Sequence, residues 1–225
     1  MRVAVIRFHE EDSAGFIGAA FEARGAELSV CLFPKEGPLP ALDGIDHIVV
    51  LGAVWSVYDD SPDRAWIADV LAWLRQADEA GVPVLGICFG GQALAAALGG
   101  KVIRAGQPEV GWTTVQTSRP DLVEPGPWFQ WHADRWVLPD GVRALARTQA
   151  AEQAFVVARS MGVQFHPELT PQMLDGWLGN GGSQHARALG LDPGQLVAET
   201  AARSAEARAR ARRLVAAFLA LDGPV

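Results

Sequence analysis

The chain has 225 residues, 49% of them hydrophobic, and a formal net charge of −7, which excludes a disordered protein and allows one large or two small cores. The acidic balance and the lack of basic runs argue against a nucleic-acid partner. No apolar run reaches the roughly 18 residues that span a bilayer, and the N-terminal segment lacks a signal-peptide pattern, so we expect a cytoplasmic protein that does not enter membranes.

Strands and helices alternate over the first hundred residues. Four short, mostly apolar runs have the composition of parallel strands that are buried on both faces. They are residues 2–8, 27–33, 47–51 and 84–87. Asp12 or Ser13 is the predicted cap of a helix that ends at Gly25, and a second helix is predicted from Ser61 to Gly81. This order predicts an α/β fold with an open, mostly parallel, doubly wound sheet, in which ligands bind at the carboxyl ends of the strands.

The second half of the chain is predicted to add several short strands, some of them antiparallel, and a C-terminal helix. The short strands are residues 101–103, 112–117, 128–131, 135–138, 143–148 and 154–157. An apolar strand at 161–165, a short helix at 170–178, a flexible turn at 179–182 and a long helix at 195–221 follow. Without repeats or a linker, residues 1–225 are expected to form a single domain. Its core covers about 1–185 and a helical extension covers about 190–222, and the arginines of 208–213 are predicted to be solvated.

A lone cysteine stands at the junction between the fourth strand and a helix. Cys88 follows the apolar run 84–87, and glycines occupy positions 86, 90 and 91 around it. A reactive residue on such a sharp turn takes a strained backbone conformation and needs small neighbours. The amino end of the helix favours a thiolate, and the N–H of Phe89 is placed to stabilise an oxyanion. The alternative is a buried structural thiol, which is the preferred interpretation of Cys31 inside the second strand.

A thiolate nucleophile needs a base, and His166 has the best setting among the histidines. It follows an apolar strand, and Glu168 stands two residues later, on the same side of an extended segment. Glu168 can therefore orient the imidazole, although a His-x-Glu pattern by itself also describes a surface pair. No spacing of His, Cys, Asp or Glu suggests a metal site, and no cofactor is expected.

Two motifs together resemble the class I, or triad-type, glutamine amidotransferase family. They are Gly-Ile-Cys-Phe-Gly-Gly-Gln at 86–92 and Gly-Val-Gln-Phe-His-Pro-Glu at 162–168, in the family's order and at its usual separation. The loop at 51–60 is similar to the family's oxyanion loop in stand-alone members that resemble the amidotransferase domain of GMP synthase. Residues 109–112 and 131–134 are similar to further segments of that subgroup. The resemblance covers roughly residues 1–185 and implies a flavodoxin-like fold.

The resemblance also implies a mechanism. Cys88 attacks the side-chain amide of glutamine and forms a γ-glutamyl thioester. His166 passes a proton to the departing ammonia and then activates water, while Glu168 orients and stabilises His166. The oxyanion is held by backbone N–H groups of Phe89 and of the loop at Gly52.

The oxyanion loop departs from the family's usual Gly-Gly-Pro, since this chain has Gly52-Ala53-Val54. The implied donors are the backbone groups of Gly52, Ala53 and Phe89, so the function can survive the change. Ala53, however, tolerates a positive φ less well than glycine does. Three side chains are implied to line the glutamine pocket, with a structural hydrogen bond as the alternative for the histidine: Gln92, Trp131 and His132.

Several functions are compatible with these motifs. The first is a glutaminase-type amidotransferase, whose ammonia acceptor would be a separate synthetase chain because no G-x-x-x-x-G-K-[ST] loop occurs. The second is a γ-glutamyl peptidase or hydrolase that uses the same triad on γ-glutamyl amides or peptides. The third is a non-catalytic regulatory subunit with the same fold. A cysteine-elbow protein of the DJ-1-like group is less consistent with the ending at His166.

Overall fold

The computed structural model describes residues 1–221, which contain nine strands and six α-helices. The strands are β1 (Arg2–Arg7), β2 (Glu27–Leu32), β3 (His47–Val50), β4 (Val84–Ile87), β5 (Lys101–Thr117), β6 (Gly126–Val137), β7 (Ala144–Arg147), β8 (Glu152–Val157) and β9 (Ser160–Val163). The helices are α1 (Gly15–Glu22), α2 (Trp66–Glu79), α3 (Phe89–Ala97), α4 (Pro171–Trp177), α5 (Ser183–Ala188) and α6 (Pro193–Ala220).

The described strands form one sheet in the order β2-β1-β3-β4-β9-β8-β7-β5-β6. The first five strands of this order pair in parallel, and the remaining pairs are antiparallel. The predicted open, doubly wound α/β sheet is thus confirmed. Strand β4 lies beside β9, with Ile87 opposite Val163. Because parallel strands end at the same edge, this register places Cys88 next to the segment that carries His166.

Two helical layers cover the parallel half of the sheet. Val3 and Val5 of β1 face a core built with α1 and α6, whereas Ala4 and Ile6 face a core built with α2 and α3. The fully apolar strands therefore bury both faces, as predicted for a parallel sheet. The long C-terminal helix belongs to the first of these cores, in which Phe218 is only 1% exposed.

The antiparallel half differs from the prediction, because two long strands replace four short ones. Strands β5 and β6 form one hairpin whose pairing runs from Lys101 opposite Val137 to Val115 opposite Gly126. A register shift between Arg104 and Glu109 interrupts this pairing. Such a bulge accommodates glycine and proline without ending the strand. The turn-forming residues near position 106 therefore mark an irregularity inside β5, where the sequence suggested a gap between strands.

Local helix signals were partly wrong. Helix α1 has Ala14 as its N-cap, without a side-chain hydrogen bond. Asp12, one of the two predicted caps, instead accepts a hydrogen bond from Trp177 Nε1 at 3.0 Å. Ser13 accepts one from the N–H of Gly15, just ahead of the first turn. A tertiary contact has therefore taken the carboxylate that local sequence assigned to the cap.

The remaining helices follow the sequence more closely, with two exceptions. A 3₁₀ turn at Pro62–Arg64 precedes α2, so the α-helix begins at Trp66 rather than immediately after Ser61. The predicted flexible turn at 179–182 is part of a π-helical turn, Leu178–Gly182, which leads into the unpredicted helix α5.

The arginines of α6 only partly form the predicted solvated face. Arg208 and Arg212 are exposed. Arg210, however, has an 11% exposed side chain and donates to the Pro127 carbonyl at 2.9 Å, with its guanidinium over the Trp128 ring. The predicted extension ends at residue 222, which lies outside the described residues. Among residues 1–221, no helix is both long enough and apolar enough to cross a membrane.

Candidate active site

Cys88 occupies the sharp turn between β4 and α3. Its φ of 51° and ψ of −109° lie outside the regions that non-glycine residues normally adopt, and among the described residues only Ala158 shares a positive φ without being glycine. The turn is tight, because a Cβ added at Gly90 would overlap the Val50 carbonyl. The Cys88 N–H is fixed by the Val163 carbonyl at 2.8 Å. Strain of this kind is maintained only where the surrounding structure enforces it, which is typical of functional turns.

The segment after β9 brings His166 and Glu168 to the same edge of the sheet. His166 Nδ1 lies 2.7 Å from Glu168 Oε1, and the two residues are 6% and 1% exposed. The His166 N–H donates to the Phe129 carbonyl of β6 at 2.8 Å, which fixes the backbone. With Nδ1 facing the carboxylate, Nε2 is buried without a hydrogen-bond partner in the described part of the chain. This nitrogen is therefore free for a reacting group.

The charge state of His166 follows from its neighbours. Burial disfavours the imidazolium, but the Glu168 carboxylate and the Cys88 thiolate outweigh it and raise the pKa of His166 well above its ordinary value of 6.5. The site thus favours an imidazolium beside a thiolate, the form in which sulfur is nucleophilic and the ring can donate a proton.

The Cys88 sulfur has two polar neighbours besides the imidazole. Gln164 Nε2 lies 3.6 Å from Sγ, and the Trp131 carbonyl oxygen lies 3.8 Å from it. Gln164 was not predicted as a site residue, although a glutamine that shares the face of His166, two residues earlier in an extended segment, was a usable signal. Gln92 donates through Nε2 to Gln164 Oε1 at 3.1 Å and to the Asp134 carbonyl at 3.2 Å.

The implied oxyanion donors surround the nucleophile. Phe89 is the first residue of α3, so its N–H has no acceptor within the helix, whereas the N–H of Gly90 donates to the Leu51 carbonyl at 3.2 Å. Neither Gly52 nor Ala53 has a positive φ, so the conformation adopted here suits an alanine at position 53.

Gly52 is required for space instead of for backbone freedom. A Cβ at this position would lie 2.9 Å from His166 Cε1. We expect Gly52→Ala to displace the imidazole and to lower kcat/KM about a hundredfold, because small displacements of catalytic groups have costs of this size. Steady-state glutamate release measures the effect. Gly106→Ala is the matched control, since a Cβ there meets nothing within 4 Å, and equal losses in both variants would contradict the steric argument.

The oxyanion loop is tied to β6 through Asp134. Ser56 Oγ and Tyr58 Oη donate to the two oxygens of this carboxylate, the latter at 3.0 Å, and Arg104 lies 3.5 Å from it. Asp134 was not predicted as a site residue, because no local pattern pairs it with loop hydroxyls far away in sequence. These bonds hold the loop in place over the nucleophile.

His132 lies in a buried polar network as well as in the pocket wall. Its Nδ1 lies 2.9 Å from the Asp134 carbonyl, and its Nε2 lies 3.1 Å from Glu109 Oε2. Thr148 and Gln153 also donate to that Glu109 oxygen, each at 2.9 Å. Both ring nitrogens thus face oxygen acceptors, so the ring carries two protons or shares one with the carboxylate. The two interpretations of His132 from sequence are compatible in this arrangement.

Comparison with known proteins identifies the family. Residues 16–178 match the family model for glutamine amidotransferase class-I. The chain belongs to this family. Its relatives include the amidotransferase-type GMP synthase (glutamine-hydrolyzing) component of Sulfolobus acidocaldarius, which is 33% identical over 178 residues, covering 75% of this chain and 90% of the relative. The predicted assignment to a class of cysteine amidohydrolase enzymes is confirmed by this membership.

Two further comparisons concern length and fold. A GMP synthase (glutamine-hydrolyzing) of Aquifex aeolicus is 38% identical over 102 residues, which are 41% of this chain but only 20% of that protein. The crystal structure of a glutamine amidotransferase of Thermotoga maritima matches with a TM-score of 0.88 at 23% identity, covering 99% of each chain. At this identity the likeness establishes the fold, which is that of the class I amidotransferases.

An open cleft of about 550 Å³ lies over the strand ends of this class I amidotransferase. Most of the predicted site residues line it: Gly52, Ala53, Cys88, Gln92, Trp131, His132 and His166. Glu168 lies behind His166, and the Phe89 side chain points into the core against Phe8. No group of three or more His, Cys, Asp or Glu residues within positions 1–221 is arranged to hold a metal ion.

Proposed function

We propose that this amidotransferase hydrolyses the side-chain amide of glutamine through a γ-glutamyl thioester on Cys88. The observation that carries the proposal is the buried His166–Glu168 pair, whose unpartnered Nε2 lies in the cleft beside a cysteine on a strained turn. A nucleophile, a base and an orienting carboxylate in this arrangement are the elements of acyl transfer through a triad.

The residues act in two half-reactions. In the first, the Cys88 thiolate bonds to the amide carbon, and the C–N bond breaks as His166 transfers its proton from Nε2 to the leaving ammonia. In the second, neutral His166 removes a proton from water, whose oxygen displaces the sulfur and releases glutamate. Glu168 accepts from Nδ1 throughout and stabilises the imidazolium.

Backbone amides supply the stabilisation of the two tetrahedral intermediates. The N–H of Phe89 and those of Gly52 and Ala53 border the nucleophile, and losing one such donor typically costs about a hundred- to a thousandfold in rate. Gln92, Trp131 and His132 form the pocket wall for the amino-acid end of the donor.

The ammonia acceptor is proposed to be a separate chain. The Sulfolobus acidocaldarius relative is named as one subunit of a glutamine-hydrolyzing GMP synthase, and this chain matches 90% of its length. We therefore propose that residues 1–225 act as one amidotransferase domain that delivers ammonia to a synthetase partner.

A second candidate is hydrolysis of γ-glutamyl amides that carry a larger, cationic amine. The cleft continues past His166 along Trp177, whose ring packs on the imidazole with a centroid separation of 4.9 Å. Glu11 and Asp12 line this extension, and burial, together with the nearby Glu168 carboxylate, raises the pKa of Asp12. A cationic leaving group would be stabilised there, on the side where His166 protonates the departing nitrogen.

A donor panel distinguishes the two candidates. Glutamine is compared with the γ-glutamyl amides of butylamine and of 1,4-diaminobutane, a neutral and a cationic amine of similar length, by the specificity constant for glutamate release. The first candidate predicts that glutamine is the best donor. The second predicts that the cationic amide exceeds the neutral one about tenfold and that Glu11→Gln reduces this preference. Preference for the neutral amide would contradict the second candidate, and absence of glutamine turnover with and without a synthetase would contradict the first.

A further inference from the structure

Two buried glutamine side chains connect the Cys88 sulfur to the main chain of β6. Gln164 Nε2 lies 3.6 Å from Cys88 Sγ, and its Oε1 accepts from Gln92 Nε2 at 3.1 Å. Gln92 Nε2 also donates to the Asp134 carbonyl at 3.2 Å. Gln164 is 0% and Gln92 is 3% exposed, so neither amide has bulk water as an alternative partner.

The chain of contacts has only one consistent direction. The Asp134 main-chain oxygen can only accept, so the atom of Gln92 that faces it must be the nitrogen. That same nitrogen then requires an oxygen from Gln164, which leaves the Gln164 nitrogen facing sulfur. A main-chain carbonyl thus determines, through two side-chain amides, that an N–H group points at the reacting atom.

This direction matters because the other neighbour of the sulfur has the opposite preference. The Trp131 carbonyl oxygen, 3.8 Å from Sγ, can accept from a thiol but repels a thiolate. A donor on a third side favours the ionised form, since hydrogen bonds to a charged group are stronger than those to a neutral one. Without the Gln164 N–H, the sulfur would have only an acceptor opposite the imidazole.

We propose that Gln164 is a catalytic residue that stabilises the Cys88 thiolate by a direct N–H···S hydrogen bond, and that Gln92 is the positioning residue that fixes its direction. This assignment rests on the proposed function only in taking Cys88 as the nucleophile. It gives Gln92 a role within the protein, in addition to the pocket-lining role implied for it. The same bond holds the sulfur in place during attack on the amide carbon.

The test is the pH dependence of Cys88 alkylation by iodoacetamide in the absence of any donor. The other cysteine is removed by Cys31→Ala, so that a single thiol reacts. We expect Gln164→Leu to raise the midpoint pH of alkylation by about one unit, because a hydrogen bond to a charged group has roughly that value. Gln164→Glu, which is close in shape but brings a negative charge, should raise the midpoint further. Gln92→Leu should raise it by less than Gln164→Leu does.

Gln130→Leu is the matched control. Gln130 is also 0% exposed and donates to another glutamine, Gln153 Oε1, at 2.9 Å, but it is not in contact with the sulfur. Its variant should keep the wild-type midpoint, so a general loosening of the sheet would be recognised by equal shifts in both variants and would overturn the assignment. An unchanged midpoint in folded Gln164→Leu would also overturn it. If that variant does not fold, a midpoint in Gln164→Glu at or below the wild-type value has the same meaning.

Discussion

Replacing Cys88 by alanine is expected to lower kcat for glutamate release about 10⁴-fold or more. Removal of the nucleophile from a triad leaves only the contribution of binding and of the oxyanion donors, and comparable enzymes lose activity on this scale. The variant retains a Cβ at the strained turn, so the backbone at φ 51° is under the same constraint as in the wild type. The loss should therefore appear in turnover and not in the melting temperature, and the two are measured on the same preparation.

Cys31→Ala is the matched control for that experiment. Cys31 lies in β2, at the edge of the sheet, and burial raises the pKa of its thiol above the ordinary value, which keeps it protonated. Its removal should leave kcat within about twofold of the wild type, as for other substitutions far from a site. Equal losses in the two variants, or full activity of Cys88→Ala, would contradict the assignment of the nucleophile.

Replacing Glu168 by glutamine should lower kcat by about 10²- to 10⁴-fold and shift the pH profile to lower pH. The Glu168 carboxylate is one of the two charges that raise the pKa of His166, so a neutral amide allows that pKa to fall. The imidazolium that protonates ammonia is then lost at a lower pH, which moves the alkaline limb of kcat/KM downward. The acidic limb, where the imidazolium persists, should retain the larger share of activity.

A pH series of initial rates measures this shift. Glu199→Gln is the control, because Glu199 pairs with Arg203 on the surface of α6, and its removal should leave both limbs in place. An upward shift of the alkaline limb in Glu168→Gln would mean that the carboxylate does not support the protonated ring, and the proposed role of Glu168 would be wrong.

The same charges connect His166 to stability. A histidine whose pKa is raised in the folded state contributes stability that is fully present below the unfolded value and is lost as the pH rises through the folded value. For His166 this contribution extends from below about 6.5 to the more alkaline folded pKa, so the free energy of unfolding should decrease across that window. In Glu168→Gln the decrease should occur at lower pH.

The parallel half of the fold could be predicted because its signals are local. Runs such as 84–87 are apolar on both faces, and the alternation of strand and helix restricts the topology to a few arrangements. The position of Cys88 followed from glycines that have no room for a Cβ, as the overlap of position 90 with the Val50 carbonyl illustrates. The antiparallel hairpin was predicted wrongly because a bulge near Arg104 resembles the end of a strand.

The contacts that surround the nucleophile depend on distant parts of the chain. Gln164 contacts the sulfur because β4 and β9 are neighbours, and Gln92 reaches it from α3. Asp134 holds the oxyanion loop through Tyr58, 76 residues away in sequence. Asp12 was assigned to a helix cap because the sequence alone did not place Trp177 beside it. Patterns within a short window identify the residue types available for catalysis, whereas their partners require the tertiary structure.

The central claim is that a γ-glutamyl group is transferred to Cys88, and partition of that group between water and hydroxylamine tests it most directly. With glutamine as donor, increasing hydroxylamine should produce γ-glutamyl hydroxamate at the expense of glutamate, while ammonia release continues at least as fast. Both products should be absent in Cys88→Ala. If glutamate formation were unaffected by hydroxylamine and no hydroxamate appeared, water would attack the amide directly, and a thioester on Cys88 would be contradicted.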